Sequence, residues 1–467
     1  MSDETGEVIN RLWERLQAGG IDDPLKAVEQ LSYLLLLRRF DRLETTVELG
    51  RGRRASRYFD AYPGLRWMAL ESQPSSVRLS LLQANLIPFL QESVGPGFEQ
   101  AMTGATFDIP TPELLAECMY ALGDLGLGAR GSALEGDVYE ELFRQLPPTG
   151  RSGRFLTPRP LIEAITALVR PLPGELICDP AAGTAGFLVA AHRHVTGQSE
   201  GDQKPAKLLG FDIDPGMVRL GAINMFLHGI GASSVRQQDT LAPTFTFPQV
   251  DVVLSNPPFT GNIDRYDVDR ALDLDTSRTE LLFLERSRRL LRPGGRAGLV
   301  VPEGVLFGSS KAHIEARRRL LTNDNVEAIV LLPSSAFRPY TSVRTAVLLI
   351  SHGQPTERVL FCAAETREPL GMDGGGWAEL EDMPAAIHAR LDGVRSPADE
   401  KGLEMWDAPI TDIRDRGWSL APAVYREPSQ DRTGEEDPLD LLGQAQSLQG
   451  ELSRELSLAR EVLEQMQ

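Results

Sequence analysis

The segment Asn256-Pro257-Pro258-Phe259 directly follows an apolar run, Asp251 to Ser255, that predicts a buried strand. Two prolines there fix a rigid turn at the carboxyl end of the strand, where ligands bind in open α/β sheets. The amino group of a base is a poor nucleophile because its lone pair is delocalised into the ring. The Asn256 side-chain oxygen and the Pro257 carbonyl oxygen can accept its two hydrogens, and Phe259 can stack on a base extruded from its helix. The turn therefore predicts transfer of an activated methyl group to an amino group.

A second segment, Asp179-Pro-Ala-Ala-Gly-Thr-Ala-Gly-Phe187, lies between a predicted strand and a predicted helix. Gly183 and Gly186 let the backbone pass close to a ligand, and the helix behind them presents free N–H groups. A dinucleotide-binding turn needs the pattern G-x-G-x-x-G, of which only two glycines match here. Asp179 also disfavours a pyrophosphate, and it suits a cation such as the ammonium of a methionine moiety.

Asp212 ends the next predicted strand, in Gly-Phe-Asp-Ile-Asp. A carboxylate at this place in a nucleotide-binding βαβ unit accepts hydrogen bonds from ribose hydroxyls. The alternative is an acidic cap on the following helix, a role that Asp214 before Pro215 can also fill. Asp179 and Asp212, at the ends of adjacent strands, together predict an adenosine-bearing cofactor.

The elements that position these residues fall into two regions with different hydrophobic patterns. Helical patterns at 8–17, 24–43, 77–90 and 112–122 predict an all-helical N-terminal domain, with Asp23 capping a helix that begins at Pro24. Strands then alternate with helices of 8–12 residues, which predicts a doubly wound, mostly parallel α/β sheet. The predicted strands are 176–179, 208–212, 250–255, 297–301, 326–332 and 345–351, and the predicted helices are 161–169, 187–194, 217–227, 280–291 and 314–321.

The C-terminal segment 436–467 predicts a helix that meets a partner. Asp437 and Pro438 form a helix start, and the apolar residues that follow recur at heptad spacing. So narrow a stripe indicates a partner helix, and a helix folded back on its own domain is the alternative. The stripe consists of Leu441, Ala445, Leu448, Leu452, Ala459, Val462 and Met466.

Charge and composition narrow the class of protein. The net charge is −18 over 467 residues, but −13 of it belongs to residues 351–467 and only −5 to residues 1–350. The uneven distribution leaves DNA possible as a substrate and predicts weak DNA binding by this chain alone. Three scattered cysteines, no secretory signal and no long apolar run predict a cytoplasmic protein without a membrane span. The histidines form no ligand spacing, so we assign no metal.

The two central motifs resemble those of the amino-group DNA methyltransferases. The resemblance extends to the modification (M) subunit of type I restriction-modification systems, an N6-adenine DNA methyltransferase family. Arg154-Phe-Leu-Thr-Pro-Arg159 is similar to the family's Phe-x-Thr-Pro signature ahead of the cofactor loop. Further blocks match in order at 291–307, 332–341 and 417–425. The resemblance covers nearly the whole chain.

This resemblance implies a seven-stranded, Rossmann-like methyltransferase sheet at 131–430, a helical N-terminal domain at 1–130 and a C-terminal helical tail. It implies catalysis by Asn256, Pro257, Pro258 and Phe259. It also implies that S-adenosyl-L-methionine is bound by Arg154, Phe155, Leu156, Thr157, Pro158, Asp179, Ala181, Gly183, Thr184, Ala185, Gly186, Phe187, Asp212, Ile213, Asp239 and Asn256. Asp212 would hold the ribose and Asp239 the adenine amino group. The loop departs from the family where Ala182 replaces a common Cys and Ala185 a common Gly.

The implied substrate is double-stranded DNA. A target-recognition region needs about 100 residues of its own, and none is evident between the motifs or after residue 430, so a separate specificity (S) subunit is expected to read the DNA. A second copy of the chain and a restriction (R) subunit are further implied partners. Arg159 and the arginines of the 51–57 loop are candidates for DNA contact, although solvated faces are a commoner role. Cytosine N4, a ribosomal RNA base and a protein glutamine are alternative acceptors, and a cofactor-binding scaffold without catalysis is an alternative of another class.

Overall fold

The N-terminal third of the chain is helical. The computed structural model describes residues 3–51, 58–93, 97–124, 132–144, 156–197, 205–231, 234–338, 341–364, 378–394 and 403–426. The helices that precede the first strand are α1 (Asp3–Ala18), α2 (Pro24–Arg51), α3 (Trp67–Glu71), α4 (Ser75–Ser93), α5 (Phe98–Ala101), α6 (Pro112–Asp124) and α7 (Ser132–Arg144). Leu25 N donates to the Asp23 carboxylate at the start of α2, which confirms the predicted cap.

Strands and helices then alternate. The strands are β1 (Leu176–Asp179), β2 (Lys207–Asp212), β3 (Val235–Gln237), β4 (Val250–Ser255), β5 (Leu291–Pro302), β6 (Asp324–Leu331), β7 (Thr345–His352), β8 (Arg358–Ala364) and β9 (Leu403–Pro409). The helices are α8 (Arg159–Val169), α9 (Gly186–Gly197), α10 (Pro215–Leu227), α11 (Thr279–Leu290), α12 (Gly304–Phe307), α13 (Lys311–Asn323), α14 (Ala378–Glu381), α15 (Met383–Leu391) and α16 (Ile410–Asp415).

These strands form one mixed sheet in the order β3-β2-β1-β4-β5-β7-β6-β8-β9. Neighbours from β3 to β5 are parallel, as are β6 and β8, whereas β7 runs antiparallel to β5 and β6, and β9 antiparallel to β8. The α/β class is as predicted, but the expected count of seven strands is wrong because the sheet has nine. The sequence patterns overlooked β3, which has only three residues, and β8 and β9, which flank a stretch rich in Gly, Pro and acidic residues.

Helices cover both faces of this sheet. Val252 and Leu254 of β4 belong to a buried cluster that also contains Ile165 of α8 and Leu188 of α9. On the other side, α11 contacts β4 and β5, and α13 contacts β6. Because β1, β2, β4 and β5 are parallel, the segments that follow them meet at one edge of the sheet.

The helical region and the sheet belong to one compact unit, residues 1–421, and residues 422–467 form a second. Within the first unit, Tyr139 of α7 donates to the Leu220 carbonyl of α10 at 2.7 Å, and Arg219 of α10 forms an ion pair with Glu29 of α2. In the second unit, the described residues contain a single turn of 3-10 helix at Pro422–Val424. None of the helices described here is long and apolar enough to cross a membrane.

Candidate functional site

The carboxylate of Asp179 is buried at the end of β1, where only 1% of the residue is exposed. Its Oδ1 accepts hydrogen bonds from Ser255 Oγ at 2.7 Å and from Ala181 N at 3.0 Å. Burial raises the pKa of Asp179 to about 7, because desolvation outweighs these two hydrogen bonds, which lower it. A carboxylate in this state gains from a nearby cation, which would stabilise its ionised form.

The loop after Asp179 turns sharply into α9. Gly183 has a φ of 51° and Ala185 a φ of 63°, both in the left-handed region. A Cβ at Gly183 would meet no atom within 4 Å, so the loop is open on that side. The Ala185 side chain is fully buried in the main apolar cluster. The methyl group that replaces the family's common Gly therefore packs into the core. Thr184 and Gly186 are half-buried, and Phe187 is buried in the first turn of α9.

Asp212 at the end of β2 ties this loop to the neighbouring strand. Its Oδ2 accepts a hydrogen bond from Gly183 N and its Oδ1 accepts one from Asp214 N, each at 2.9 Å. Asp214, and not Asp212, caps α10, because its side chain accepts from Met217 N. Ile213 beside it is an apolar side chain that is 65% exposed at the same edge of the sheet.

Asp239 lies beyond β3, where its Oδ1 accepts a hydrogen bond from Leu241 N at 2.9 Å. The next residue, Thr240, is buried and donates to the Pro180 carbonyl at 3.0 Å. This bond joins the segment that carries Asp239 to the loop after β1. Asp179, Asp212 and Asp239 are therefore held at one edge of the sheet by a shared set of hydrogen bonds.

The two ends of the Asn256 amide have different surroundings. Nδ2 donates to Thr157 Oγ1 at 2.8 Å. Oδ1 is buried and has no hydrogen-bond partner among the residues that the structure describes. A buried acceptor without a partner is unfavourable by about 1–3 kcal/mol, so this oxygen is suited to a donor that arrives with the substrate.

The rest of the turn is more enclosed than the sequence suggests. Pro257 is buried and Pro258 is exposed. Phe259 is only 3% exposed, and its ring packs edge-on against Phe337 with centroids 5.2 Å apart. Stacking of an extruded base on Phe259 stays a prediction, and it requires this aromatic pair to open.

The segment before α8 carries the third group of predicted residues. Arg154 and Phe155 lie outside the described residues, as do residues 52–57, whereas Leu156, Thr157 and Pro158 are half-buried. Arg159 is engaged by Glu140 at 2.8 Å, Glu163 at 2.8 Å and Asp137 at 3.4 Å. Two of these carboxylates, Asp137 and Glu140, also pair with Arg193, and DNA contact by Arg159 stays a prediction.

The residues at this edge fit S-adenosylmethionine. Asp179 offers a carboxylate for an ammonium group, and Asp212 offers acceptors for a ribose diol. The open side of Gly183 leaves room for a ligand against the backbone. Sequence reasoning overlooked Ser255 and Asn224. Asn224 Nδ2 donates to the Thr184 carbonyl at 2.8 Å. In the sequence, the sign of this role was a single amide side chain within an otherwise apolar stretch of α10.

The fold and the site define a class of protein: an α/β enzyme with an acidic cofactor loop after β1 and an Asn-Pro-Pro-Phe turn after β4. A model of the N-6 DNA methylase family matches residues 131–433. The methylase subunit of the type I restriction enzyme EcoEI from Escherichia coli is 31% identical over 471 residues, covering 95% of this chain and 94% of that protein. The methylase subunit of EcoKI, from Escherichia coli strain K12, is 31% identical over 62% of this chain and 58% of that protein.

Solved structures agree with this result. A chain from a structural study of the assembly and conformational transition of a type I R-M system is 25% identical, with a TM-score of 0.72 and 98% of both chains covered. A type I methyltransferase subunit from Streptococcus thermophilus shares the fold, with a TM-score of 0.73 at 20% identity over 91% of this chain and 99% of that chain. The chain belongs to the N-6 DNA methylase family, whose members methylate the N6 amino group of adenine in DNA. This confirms the family predicted from the sequence.

Proposed function

We propose that this chain is the modification subunit of a restriction-modification or related defence system and transfers a methyl group from S-adenosylmethionine to N6 of a flipped adenine. The observation that carries the proposal is the buried, unpartnered Oδ1 of Asn256 at the carboxyl end of β4. The family match and the relatives named as type I methylase subunits support the same reaction.

The chain's own residues have simple tasks in this reaction. Asn256 Oδ1 and the Pro257 carbonyl each accept one hydrogen of the adenine amino group, which localises the nitrogen lone pair. Phe259, once the pair with Phe337 opens, stacks on the flipped base. When bound, S-adenosylmethionine supplies an electrophilic methyl group on a sulfonium centre.

The cofactor is held by the two loops that Asp212 joins. Asp179 would hold the ammonium of the methionine moiety, Asp212 the ribose hydroxyls and Asp239 the adenine amino group. The rest of the cofactor would lie against the loop after β1 and the start of α9. The residues proposed to contact it there are Ala181, Gly183, Thr184, Ala185, Gly186 and Phe187. The segment 154–158 and Ile213 complete this proposed site, with Ile213 offering an exposed apolar side chain to the adenine ring.

The proposed partners follow from the division of the chain. We assign a helical domain to 1–130, the methyltransferase to 131–430 and a contact with a specificity subunit to 436–467, a segment outside the described residues. A second copy of the chain and a restriction subunit complete the proposed complex, which binds double-stranded DNA in the cytoplasm. The three cysteines, all free and buried, agree with a reducing compartment.

The test is Asn256→Ala in the chain assembled with its specificity partner. We expect methyl transfer to duplex DNA to fall by at least about 100-fold, since one preorganised hydrogen-bond acceptor is lost. Calorimetric affinity for S-adenosylmethionine should stay measurable. The matched control is Asn85→Ala, whose amide donates within α4 to Leu81, and its transfer rate should be unchanged. Retained methylation by Asn256→Ala would remove this residue from the mechanism.

The second candidate is a cofactor-binding scaffold without catalysis, suggested by Ala182 and Ala185. The Ala185 methyl group is buried in the core and takes no space from the ligand, which weakens the argument for a scaffold. A wild-type complex that binds S-adenosylmethionine and never methylates DNA would support the scaffold.

A further inference from the structure

The catalytic amide of Asn256 has a single anchor among the hydrogen bonds of the structure. Its Nδ2 donates to Thr157 Oγ1 at 2.8 Å, across 99 positions of sequence. Its Oδ1, on the other end of the same planar group, is buried without a partner. A rotation of this amide by half a turn exchanges an acceptor for a donor at the place where the substrate must bind.

We propose that Thr157 is a positioning residue, which holds the Asn256 side chain in place and leaves its oxygen available to the target amino group. This inference rests on the proposed function and adds a task to a residue whose predicted role is cofactor contact. The reaction needs an acceptor at that end of the amide, because the amino group brings two hydrogens and no lone pair available for a donor. The threonine hydroxyl satisfies the amide nitrogen and thereby leaves the oxygen free.

Thr157 can hold the amide because its own backbone is fixed. Pro158 follows it directly and caps α8, with Ile162 N donating to the Pro158 carbonyl at 3.0 Å. Arg159, next along the chain, is held by carboxylates of α7 and α8, with Glu140 and Glu163 each 2.8 Å away. Leu156 on the other side packs against the main apolar cluster. The hydroxyl therefore projects from an anchored helix start.

The position of β4 completes the arrangement. Ser255, the residue before Asn256, is fully buried and donates to Asp179 at 2.7 Å. The backbone at Asn256 is thus tied to the cofactor loop, and the side chain is tied to the start of α8. With the backbone and the side chain both fixed, the Asn256 oxygen is held where a substrate amino group can donate to it.

The experiment measures kcat at saturating S-adenosylmethionine together with the cofactor Kd, in the assembled complex acting on duplex DNA. We expect Thr157→Val to lower kcat about tenfold, the factor that corresponds to one hydrogen bond of about 1.4 kcal/mol. Thr157 also belongs to the proposed cofactor site, so the decisive readout is kcat at saturating S-adenosylmethionine, where a change in cofactor Kd has no effect. Thr157→Ser, which keeps the hydroxyl, should restore kcat. Thr157→Ala adds no atoms and gives the same readout if valine prevents folding.

The matched control is Thr166→Val in α8, the helix that follows Thr157, where the hydroxyl donates to the Ile162 carbonyl of the same helix. Its kcat should equal that of wild type. The positioning role is overturned if Thr157→Val and Thr157→Ala keep wild-type kcat, or if they raise the cofactor Kd while kcat at saturation is unchanged. Those outcomes leave the proposed function intact, whereas a wild-type complex that forms no N6-methyladenine would refute the proposed function itself.

Discussion

Replacing Asp179 with asparagine is expected to raise the free energy of unfolding and to weaken the binding of S-adenosylmethionine. Only 1% of the residue is exposed, and burial raises the pKa of the carboxyl group from its ordinary value of about 3.8 to about 7. The folded chain thus binds this proton more tightly than the unfolded chain does. The stability that the protonated group contributes is complete below about pH 4 and is lost as the pH rises through about 7. Asparagine has the same shape, can still accept from Ser255 and Ala181, and never ionises.

The magnitude follows from the two pKa values. Each tenfold difference in proton affinity corresponds to about 1.4 kcal/mol, so ionisation of Asp179 opposes folding by about 4 kcal/mol at alkaline pH. About 3 kcal/mol of this develops between about pH 5 and about pH 8.5. The advantage of Asp179→Asn over wild type, measured by urea denaturation without cofactor, should grow by that amount over this interval.

The controls separate this effect from a general change of charge. Asp60→Asn removes a carboxylate at an exposed position and serves as the comparison. Asp179→Asn should also weaken S-adenosylmethionine binding, because it removes the proposed partner of the ammonium group. A stability difference between Asp179→Asn and wild type that does not change with pH would refute the reasoning about burial.

Two further predictions concern the loop and the C-terminal segment. Ala185→Gly relieves a left-handed φ of 63°, but it removes a buried methyl group and adds backbone entropy to the unfolded chain. One gain and two losses of about 1 kcal/mol each leave a net loss of about 1 kcal/mol, so thermal stability should fall slightly while the cofactor Kd hardly changes. A tenfold change in Kd would show that this methyl group faces the ligand. Deleting 436–467 should reduce assembly with the specificity subunit on size-exclusion chromatography more than it reduces cofactor affinity, and an intact complex would count against the predicted partner helix.

The sequence predicted that the Asn256–Phe259 turn and the Asp179–Phe187 loop lie at the sheet edge, because each follows a short apolar strand. Because the carboxyl ends of parallel strands meet at one edge of a sheet, the sequence alone predicts that Asp179, Asp212 and Asn256 lie close together. The cap at Asp214 was also accessible, since an acidic residue before a proline is a local signal.

Other features depend on contacts that no local pattern encodes. The bond between Thr157 and Asn256 joins residues 99 positions apart, and the edge-on packing of Phe337 on Phe259 joins two separate loops. Strands β8 and β9 lie in a region whose composition favours turns, and they are held by pairing with β6 and with each other. Burial of Arg317, which donates to three backbone carbonyls, likewise appears only in the fold.

The central claim is that this chain methylates adenine at N6 in DNA. The measurement is mass spectrometry of nucleosides. The DNA is taken from a methylation-deficient host that expresses the chain with its specificity subunit. We expect N6-methyladenine with the wild-type chain and at least about 100-fold slower accumulation of it with Asn256→Ala. N4-methylcytosine, or no modified base with the wild-type complex, would contradict it.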